Sequence, residues 1–269
     1  MDRSIPVVMG VVNVTPDSFS DGGRFFDADH AVEHALQLAA EGAAILDIGG
    51  ESTRPGAESV SVDEELRRVV PVIERVAAQS DVAISIDTSK AVVARDSLAA
   101  GATLINDITG LAGDAEMLDV VAASDCRVCV MHMRGTPRTM QDNPQYDDVV
   151  GEVMGYLAER RNALEVAGVS RDRILLDPGI GFGKNGAHNL ELLRRIGEFH
   201  ELGCPLLVGH SRKRFLGEVL GDPTADRTAA TLGVSLWLTS QGVQVIRVHD
   251  VRLTVEALKA FHAVASSEP

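Results

Sequence analysis

Short apolar runs alternate with longer stretches of helical period along most of the chain. The runs have the length of strands and are bounded by turn-forming residues, whereas 28–40, 62–78 and 149–167 carry apolar residues at helical spacing. A glycine often precedes a run, as Gly42 and Gly101 do, where it can end the helix before it. Eight strands are predicted in this way, and they begin near residues 7, 43, 82, 102, 126, 173, 204 and 243.

The order of these elements predicts a (β/α)8 TIM barrel, and a doubly wound open sheet is the alternative. The turns from helix to strand are short, while the segments from strand to helix at 13–27, 49–62 and 132–147 are long. In a barrel the long segments lie together at the carboxyl ends of the strands, where barrel enzymes have their active sites. No linker or low-complexity tract interrupts the pattern, so a single domain over residues 1–269 is predicted.

Composition narrows the classes of partner and compartment. The net charge of −14 argues against a nucleic-acid partner, because binding to phosphates needs a basic face. The first apolar run is interrupted at Asn13 and Pro16, too early for a signal peptide or a membrane span. Cys126 and Cys129 form a C-x-x-C pattern within a predicted strand, where they point to opposite faces and favour packing over redox chemistry. A cytoplasmic protein without a membrane partner is expected.

Polar side chains recur where the predicted strands end. They are Asn13, Asp47, Asp87, Asn106, Asp107, His132, Asp177, Ser211, Lys213, Arg247 and His249. A single polar residue at such a place can be a helix N-cap, which is the role that we expect for Asp107 and Asp250. A whole ring of them predicts a polar pocket at the mouth of the barrel.

Two kinds of group are expected in this pocket. Hydrogen-bond acceptors and donors in a planar pattern suit the edge of an aminopyrimidinone ring, and they come from Asp87, Asn106 and Asp177. Cations suit phosphate, and they come from Arg54, Lys213, Arg247 and His249. Together they predict a site for a heterocycle that carries phosphate.

The segment after the sixth strand is rich in features of a ligand site. Asp177 ends the apolar run, Pro178 stops the strand, and glycines follow at alternate positions. Glycine allows backbone to approach a ligand closely. Phe182 and Lys184 add one aromatic ring and one cation to this loop.

Seven motifs, in order along the chain, carry a resemblance to the dihydropteroate synthase family. The resemblance covers about residues 8–260, and all seven motifs together are highly specific. They are MGVVNVTPDSFSDGG from Met9, DIGGESTRPGA from Asp47, SIDTSK from Ser85, INDITG from Ile105, DPGIGFGK from Asp177, SRKRFLG from Ser211 and RVHDV from Arg247.

The resemblance implies an enzyme of folate biosynthesis. Its reaction condenses 6-hydroxymethyl-7,8-dihydropterin diphosphate with p-aminobenzoate to give 7,8-dihydropteroate and pyrophosphate, with Mg²⁺ as the cofactor and a homodimer as the assembly. The implied pterin contacts are Asp87, Asn106, Asp177 and Lys213. The implied diphosphate contacts are Arg54, Arg247 and His249, with Asn13 as the Mg²⁺ ligand. The implied p-aminobenzoate contacts are Thr53, Pro55, Phe182 and Lys213, with Phe19 and Asp21 on a lid from the first loop.

The residue types fit a dissociative substitution. Cations and Mg²⁺ stabilise the charge on the leaving diphosphate, and the Asp87 carboxylate can stabilise a pterin-based cation. The arylamine then needs no strong base. The predicted catalytic residues are Asp87, Lys213, Arg247 and His249.

Two alternative functions are a pterin-dependent methyltransferase and a catalytically silent pterin-binding paralogue. The first has no need of the cations predicted for a diphosphate, and the second would have lost residues such as Arg54 or Lys213. Two positions depart from the family pattern, or vary within it. His210 is interpreted as a packing residue, and Arg214 is left without a role. The intact STRPG motif and the unaltered surroundings of Phe182 predict a sulfonamide-sensitive enzyme.

Overall fold

A computed structural model describes residues 5–15, 24–54 and 56–266, with the backbone alone at 24–27. Among them are eight strands, all paired in parallel. These are β1 Val7–Asn13, β2 Ile45–Gly49, β3 Ala83–Asp87, β4 Leu104–Asp107, β5 Arg127–Met131, β6 Ile174–Asp177, β7 Leu207–Gly209 and β8 Val245–Val248. The α-helices in the described part are α1 Arg24–Ala40, α2 Val62–Ala77, α3 Ala91–Ala99, α4 Met117–Ala122, α5 Val149–Val166, α6 Gly186–Arg194, α7 Arg214–Val219, α8 Thr228–Ser240 and α9 Val251–Ala265.

The strands close into a barrel. Their order is β6-β5-β4-β3-β2-β1-β8-β7. A parallel bridge between Leu176 and Leu206 joins the two ends of this series, and the Leu176 N–H donates to Pro205 O at 2.9 Å. The predicted (β/α)8 barrel is therefore confirmed, and the open-sheet alternative is wrong.

The core has an inner and an outer layer. The inner layer fills the barrel with one side chain from nearly every strand, namely Met9, Ile45, Leu104, Cys129, Leu175, Leu207 and Val245. The outer layer lies between the strands and the helices and includes Cys126. Because side chains alternate between faces along a strand, the residue two positions after an inner one points inward again, nearer the carboxyl end. This alternation places Asp47, Asn106, Asp177 and Arg247 directly above the apolar layer.

The cysteine prediction is confirmed in its geometry. Cys126 and Cys129 belong to different core layers, and both are buried and free, as Cys204 is. In the described part of the chain, none of the helices is long and apolar enough to cross a membrane.

Neither residue predicted as a helix N-cap makes that bond. Asp107 accepts hydrogen bonds from the backbone N–H groups of Thr109 and Leu111, so it shapes the loop after β4 well before α4 begins. Asp250 stands at the N-cap position of α9, but its carboxylate pairs with Arg212 instead. The expectation for Asp107 was therefore wrong, whereas Asp250 holds the predicted N-cap position without the capping bond because Arg212 pairs with its carboxylate.

Candidate active site

A chain of hydrogen bonds joins four strands at the barrel mouth. Arg247 donates from Nε to Asp47 Oδ2 at 2.6 Å and from Nη2 to Asp87 Oδ2 at 2.9 Å. Asn106 donates from Nδ2 to the same Asp47 oxygen at 3.1 Å. The predicted members Asp87, Asn106 and Arg247 are thus brought together, and Asp47 connects them.

Asp47 is the residue that sequence reasoning left without a role. It is fully buried, and its Oδ1 has no hydrogen-bond partner among the described residues. The signal that could have identified it is the strand alternation, since Asp47 stands two positions after the inward Ile45. A buried carboxylate needs a cation or donors beside it, which makes Asp47 the natural anchor of Arg247.

The charged groups in this cluster shift one another's pKa values. Burial, together with the nearby Asp47, raises the pKa of Asp87, and the Arg247 guanidinium opposes that rise. Although burial works against it, the two carboxylates hold the pKa of Arg247 above its usual range. The guanidinium therefore stays charged between two acids, and an arriving ligand must replace or share these contacts.

Asp177 and Lys213 form the neighbouring part of the site. The Asp177 Oδ1 accepts the Gly179 N–H at 2.7 Å, and burial raises the pKa of Asp177 to about 6. The Nζ of Lys213 lies 4.0 Å from the centre of the Phe182 ring. Burial, and next the charge of Arg247, lowers the pKa of Lys213 to about 8. An aromatic ring, an acceptor and a cation are thus close together, as the sequence predicted.

His249 lies at the edge of the site, and its protonation state differs from the one expected. Its Nδ1 is 3.0 Å from Ser211 Oγ. Burial, followed by the charges of Arg247 and Arg212, lowers the pKa of His249 to about 4. The prediction counted His249 as a cation, but with this pKa its imidazole is neutral near pH 7. It would meet a phosphate as a hydrogen-bond donor.

The predicted residues of the first two strand-to-helix loops are only partly described. Thr53 is half-buried and Arg54 is exposed, whereas Phe19, Asp21 and Pro55 lie outside the described residues. Arg54 lines a cavity with Thr15 and Arg68, and neither Arg247 nor Lys213 is among the residues that line it. This cavity therefore does not join Arg54 to the other predicted cations.

Asn13 is the residue that the resemblance implies as the Mg²⁺ ligand. It is half-buried at the end of β1 and lines a cavity together with His249. The described residues contain no group of three or more acidic, histidine or cysteine side chains that could hold a metal by themselves. One amide oxygen fits Mg²⁺, because this ion commonly keeps water and substrate phosphate as its other ligands.

Three further residues resolve as packing or surface groups. His210 is fully buried, with its Nε2 at 2.9 Å from Ser235 Oγ, so its interpretation as a packing residue is confirmed. The side chain of Arg214 is 74% exposed and pairs with Glu218, which gives it no contact with the cluster. Lys184, expected as a cation of the loop, is enclosed by the protein and only 2% exposed.

Comparisons with known proteins agree with this arrangement. Residues 9–249 match the profile of the pterin binding enzyme family. The dihydropteroate synthase of Escherichia coli strain K12 is 49% identical over 268 residues, which cover 100% of this chain and 95% of that protein.

Solved structures show the same relationship. A Yersinia pestis dihydropteroate synthase in a sulfonamide drug complex is 47% identical, with a TM-score of 0.91 over 99% of this chain and 97% of that one. A Xanthomonas albilineans dihydropteroate synthase with 4-aminobenzoic acid is 50% identical, with a TM-score of 0.92 over 99% of this chain and 95% of that one. With full-length identity at this level and a shared barrel, the chain belongs to the dihydropteroate synthase family of pterin binding enzymes.

Proposed function

We propose that this enzyme joins the pterin to p-aminobenzoate by a Mg²⁺-assisted dissociative substitution. The observation that supports it is the layer of Asp87, Asn106 and Asp177 at the barrel mouth, with Arg247 and Lys213 among them. This layer offers acceptors to a heterocycle and cations to a leaving diphosphate in one enclosed place. The Xanthomonas relative solved with 4-aminobenzoic acid supports the second substrate.

The pterin is assigned to the acceptor side. Its aminopyrimidinone edge would donate N–H groups to the carboxylate of Asp177, and Asn106 can both donate and accept. Asp87 lies beside Arg247 and carries a carboxylate that can face a positive charge on the pterin. Bond breaking before attack by the amine would generate that charge, and a fixed carboxylate would stabilise it.

The diphosphate is assigned to the cationic side. Arg247 can present N–H groups in two directions, and His249 can donate one hydrogen bond to a phosphate oxygen. Asn13 would hold Mg²⁺ through its amide oxygen, and the ion when bound would neutralise charge on the leaving group. Arg54, on the exposed segment after β2, remains a proposed diphosphate contact on sequence grounds.

The arylamine is assigned to Phe182, Thr53 and Lys213. The ring of Phe182 packs with Met131 and Met140 and offers an apolar face for an aromatic acid. The Lys213 ammonium beside that ring can attract a carboxylate or a phosphate. Pro55, Phe19 and Asp21 remain proposed members of this site on sequence grounds.

Release of pyrophosphate tests the reaction. We expect turnover that requires the pterin diphosphate, p-aminobenzoate and Mg²⁺ together and that yields 7,8-dihydropteroate. Omitting one component at a time is the control. Pterin binding without any turnover would instead support a silent paralogue, and methyl transfer from a reduced folate would support the methyltransferase alternative.

The Asp87→Asn variant tests the proposed role of this carboxylate. It removes the negative charge and keeps the shape, so kcat/KM is expected to fall by about 10²-fold or more. Steady-state kinetics with both substrates measure it, and circular dichroism checks the fold. A kcat/KM within about twofold of the unmodified enzyme would exclude a role for the charge.

Inhibition by a simple sulfonamide tests the arylamine site. The Yersinia relative in a sulfonamide complex supports micromolar inhibition that competes with p-aminobenzoate. An inhibition constant of about a millimolar or weaker would contradict the assignment of this pocket.

A homodimer and a cytoplasmic location remain proposals. On α8 the indole of Trp237 is 43% exposed, and this helix is a candidate for the dimer interface by analogy with the family. Light scattering should give a mass near twice the 28.6 kDa of the chain. The three free, buried cysteines fit a reducing compartment.

A further inference from the structure

Lys184 is a buried lysine surrounded by backbone oxygens. Its Nζ donates to Phe182 O at 2.8 Å, to Gly179 O at 2.9 Å and to His132 O at 3.2 Å, and it lies 2.9 Å from His132 Nδ1. Burial lowers the pKa of His132 to about 3, so its ring is neutral and Nδ1 can accept a hydrogen bond. The side chain is 2% exposed and therefore presents nothing to a ligand.

These carbonyls belong to two loops whose backbones touch. A methyl group at Gly179 would lie 1.9 Å from His132 O, and one at Gly183 would lie 2.4 Å from Arg134 O. Both glycines also have positive φ, at 69° and 63°. Only glycine fits such an approach, so the loop after β6 is pressed against the loop after β5 around the lysine nitrogen.

The other carbonyls of the same short segment are bound from the β5 loop. Gln141 Nε2 donates to Gly181 O at 2.9 Å, and the Tyr146 hydroxyl donates to Gly183 O at 2.8 Å. Every carbonyl from Gly179 to Gly183, apart from residue 180, therefore receives a side-chain donor. A loop so rich in glycine is expected to be mobile, but hydrogen bonds to its individual carbonyl groups hold it in place.

The opposite side of this segment faces the proposed arylamine site. The Phe182 ring lies 4.0 Å from Lys213 Nζ, and a methyl group at Gly181 would lie 3.0 Å from Lys213 Cδ. A displacement of the segment by a fraction of an ångström would change the distance between ring and ammonium. Lys184 binds the carbonyls of Gly179 and Phe182, and it therefore fixes the segment that carries the Phe182 ring.

We propose that Lys184 is a positioning residue for the arylamine site. It holds Gly181 and Phe182 against Lys213 by binding the carbonyls of Gly179 and Phe182, and it touches no substrate itself. The inference rests on the proposed function, because it assigns the effect to p-aminobenzoate and not to the pterin. Asp177 accepts the Gly179 N–H at the near end of this segment, whereas the Lys184 bond to the Phe182 carbonyl holds the end that contacts Lys213.

The test compares Lys184→Met with Lys259→Met, which removes an exposed lysine from α9. In Lys184→Met the KM for p-aminobenzoate and the inhibition constant of a sulfonamide should both rise about tenfold, as expected when a binding group is misplaced. The affinity for the pterin diphosphate, measured by calorimetry, should stay within about twofold. The control should change none of these. If the methionine variant does not fold, Lys184→Gln, which keeps two N–H donors, should show the same pattern at smaller size.

Hydrogen–deuterium exchange gives a readout that does not depend on activity. Amides of residues 178–184 should exchange faster in Lys184→Met and stay unchanged in the control. Equal weakening of both substrates would overturn the proposal, because it would mean that Lys184 also acts on Asp177, through Gly179 or through charge, and not on the arylamine site alone. Unchanged exchange in this segment would overturn it as well. Absence of turnover in the unmodified protein would contradict the proposed function, and exchange alone would then decide whether Lys184 holds the loop.

Discussion

Lys184 and Lys213 both contact Phe182, the first at its backbone carbonyl and the second at its ring, yet their surroundings differ. The ammonium of Lys184 is enclosed by three carbonyl oxygens and an imidazole nitrogen. Lys213 has the face of Phe182 beside it, and among the described residues no hydrogen bond from its Nζ is found. Burial lowers the pKa of both, well below the usual range for Lys184 and to about 8 for Lys213.

The difference between these surroundings indicates the role of each cation. A charge whose donors are all matched by fixed protein acceptors stabilises the structure around it, and a ligand cannot compete for it. A half-buried charge, such as that of Lys213, whose donors have no acceptor among the described residues stays open to a ligand, and a site commonly keeps such a charge because a ligand completes it. Lys184 belongs to the first kind, and Lys213 belongs to the second.

The largest expected effect separates the two lysines by activity. Lys213→Met should lower kcat/KM by about 10²- to 10³-fold, because it removes a cation from the place where charge develops. Lys184→Met should cost about tenfold, and only through p-aminobenzoate. Steady-state kinetics with each substrate varied in turn measure both. Similar losses in the two variants would remove the distinction between them.

The barrel itself could be predicted from the sequence, because the relevant signals are local. Strand-length apolar runs and glycine at helix ends repeat along the chain, and β1 was predicted with the bounds observed, Val7–Asn13. The inward direction of Asp87, Asn106, Asp177 and Arg247 follows from strand alternation once the barrel is assumed. The family motifs added the expected ligands.

The contacts between strands could not be predicted from one sequence. Arg247 pairs with Asp47 across 200 positions, and Lys184 lies against His132 across 52 positions. No local pattern predicts that a loop lysine will be surrounded by carbonyls, so Lys184 was expected only to add a cation to the loop. The neutral state of His249 likewise depends on how deeply the folded protein buries it.

The free energy of unfolding should fall more in Lys184→Met than in Lys213→Met, which is the opposite order to the losses of activity. Lys184→Met leaves buried carbonyls without their donor, so the free energy of unfolding should fall by about 2–4 kcal/mol. Lys213→Met removes an unmatched cation and should change that free energy by less than about 1 kcal/mol, or raise it. Denaturant unfolding monitored by circular dichroism gives both values. A larger loss for Lys213→Met would show that Lys213 is the structural lysine.

The smallest expected effect is a dependence of pterin affinity on pH. The pKa of Asp177 is raised to about 6, so this carboxylate gains a proton as the pH falls through that value and can no longer accept two N–H donors. The pKa of Lys213 is lowered to about 8, so its charge is lost as the pH rises through that value. Affinity for the pterin diphosphate should therefore be highest between these values and fall on both sides.

Lys213→Met identifies the alkaline limb of that profile. The limb should disappear in this variant while the acid limb remains, because only the amine has been removed. In Lys184→Met both limbs should persist, since Lys184 is enclosed by the protein and touches no substrate in this proposal. Calorimetry from pH 5 to pH 9 at constant ionic strength measures the profiles. An alkaline limb that survives in Lys213→Met but disappears in Lys184→Met would assign the titrating amine to the enclosed lysine and reverse the comparison.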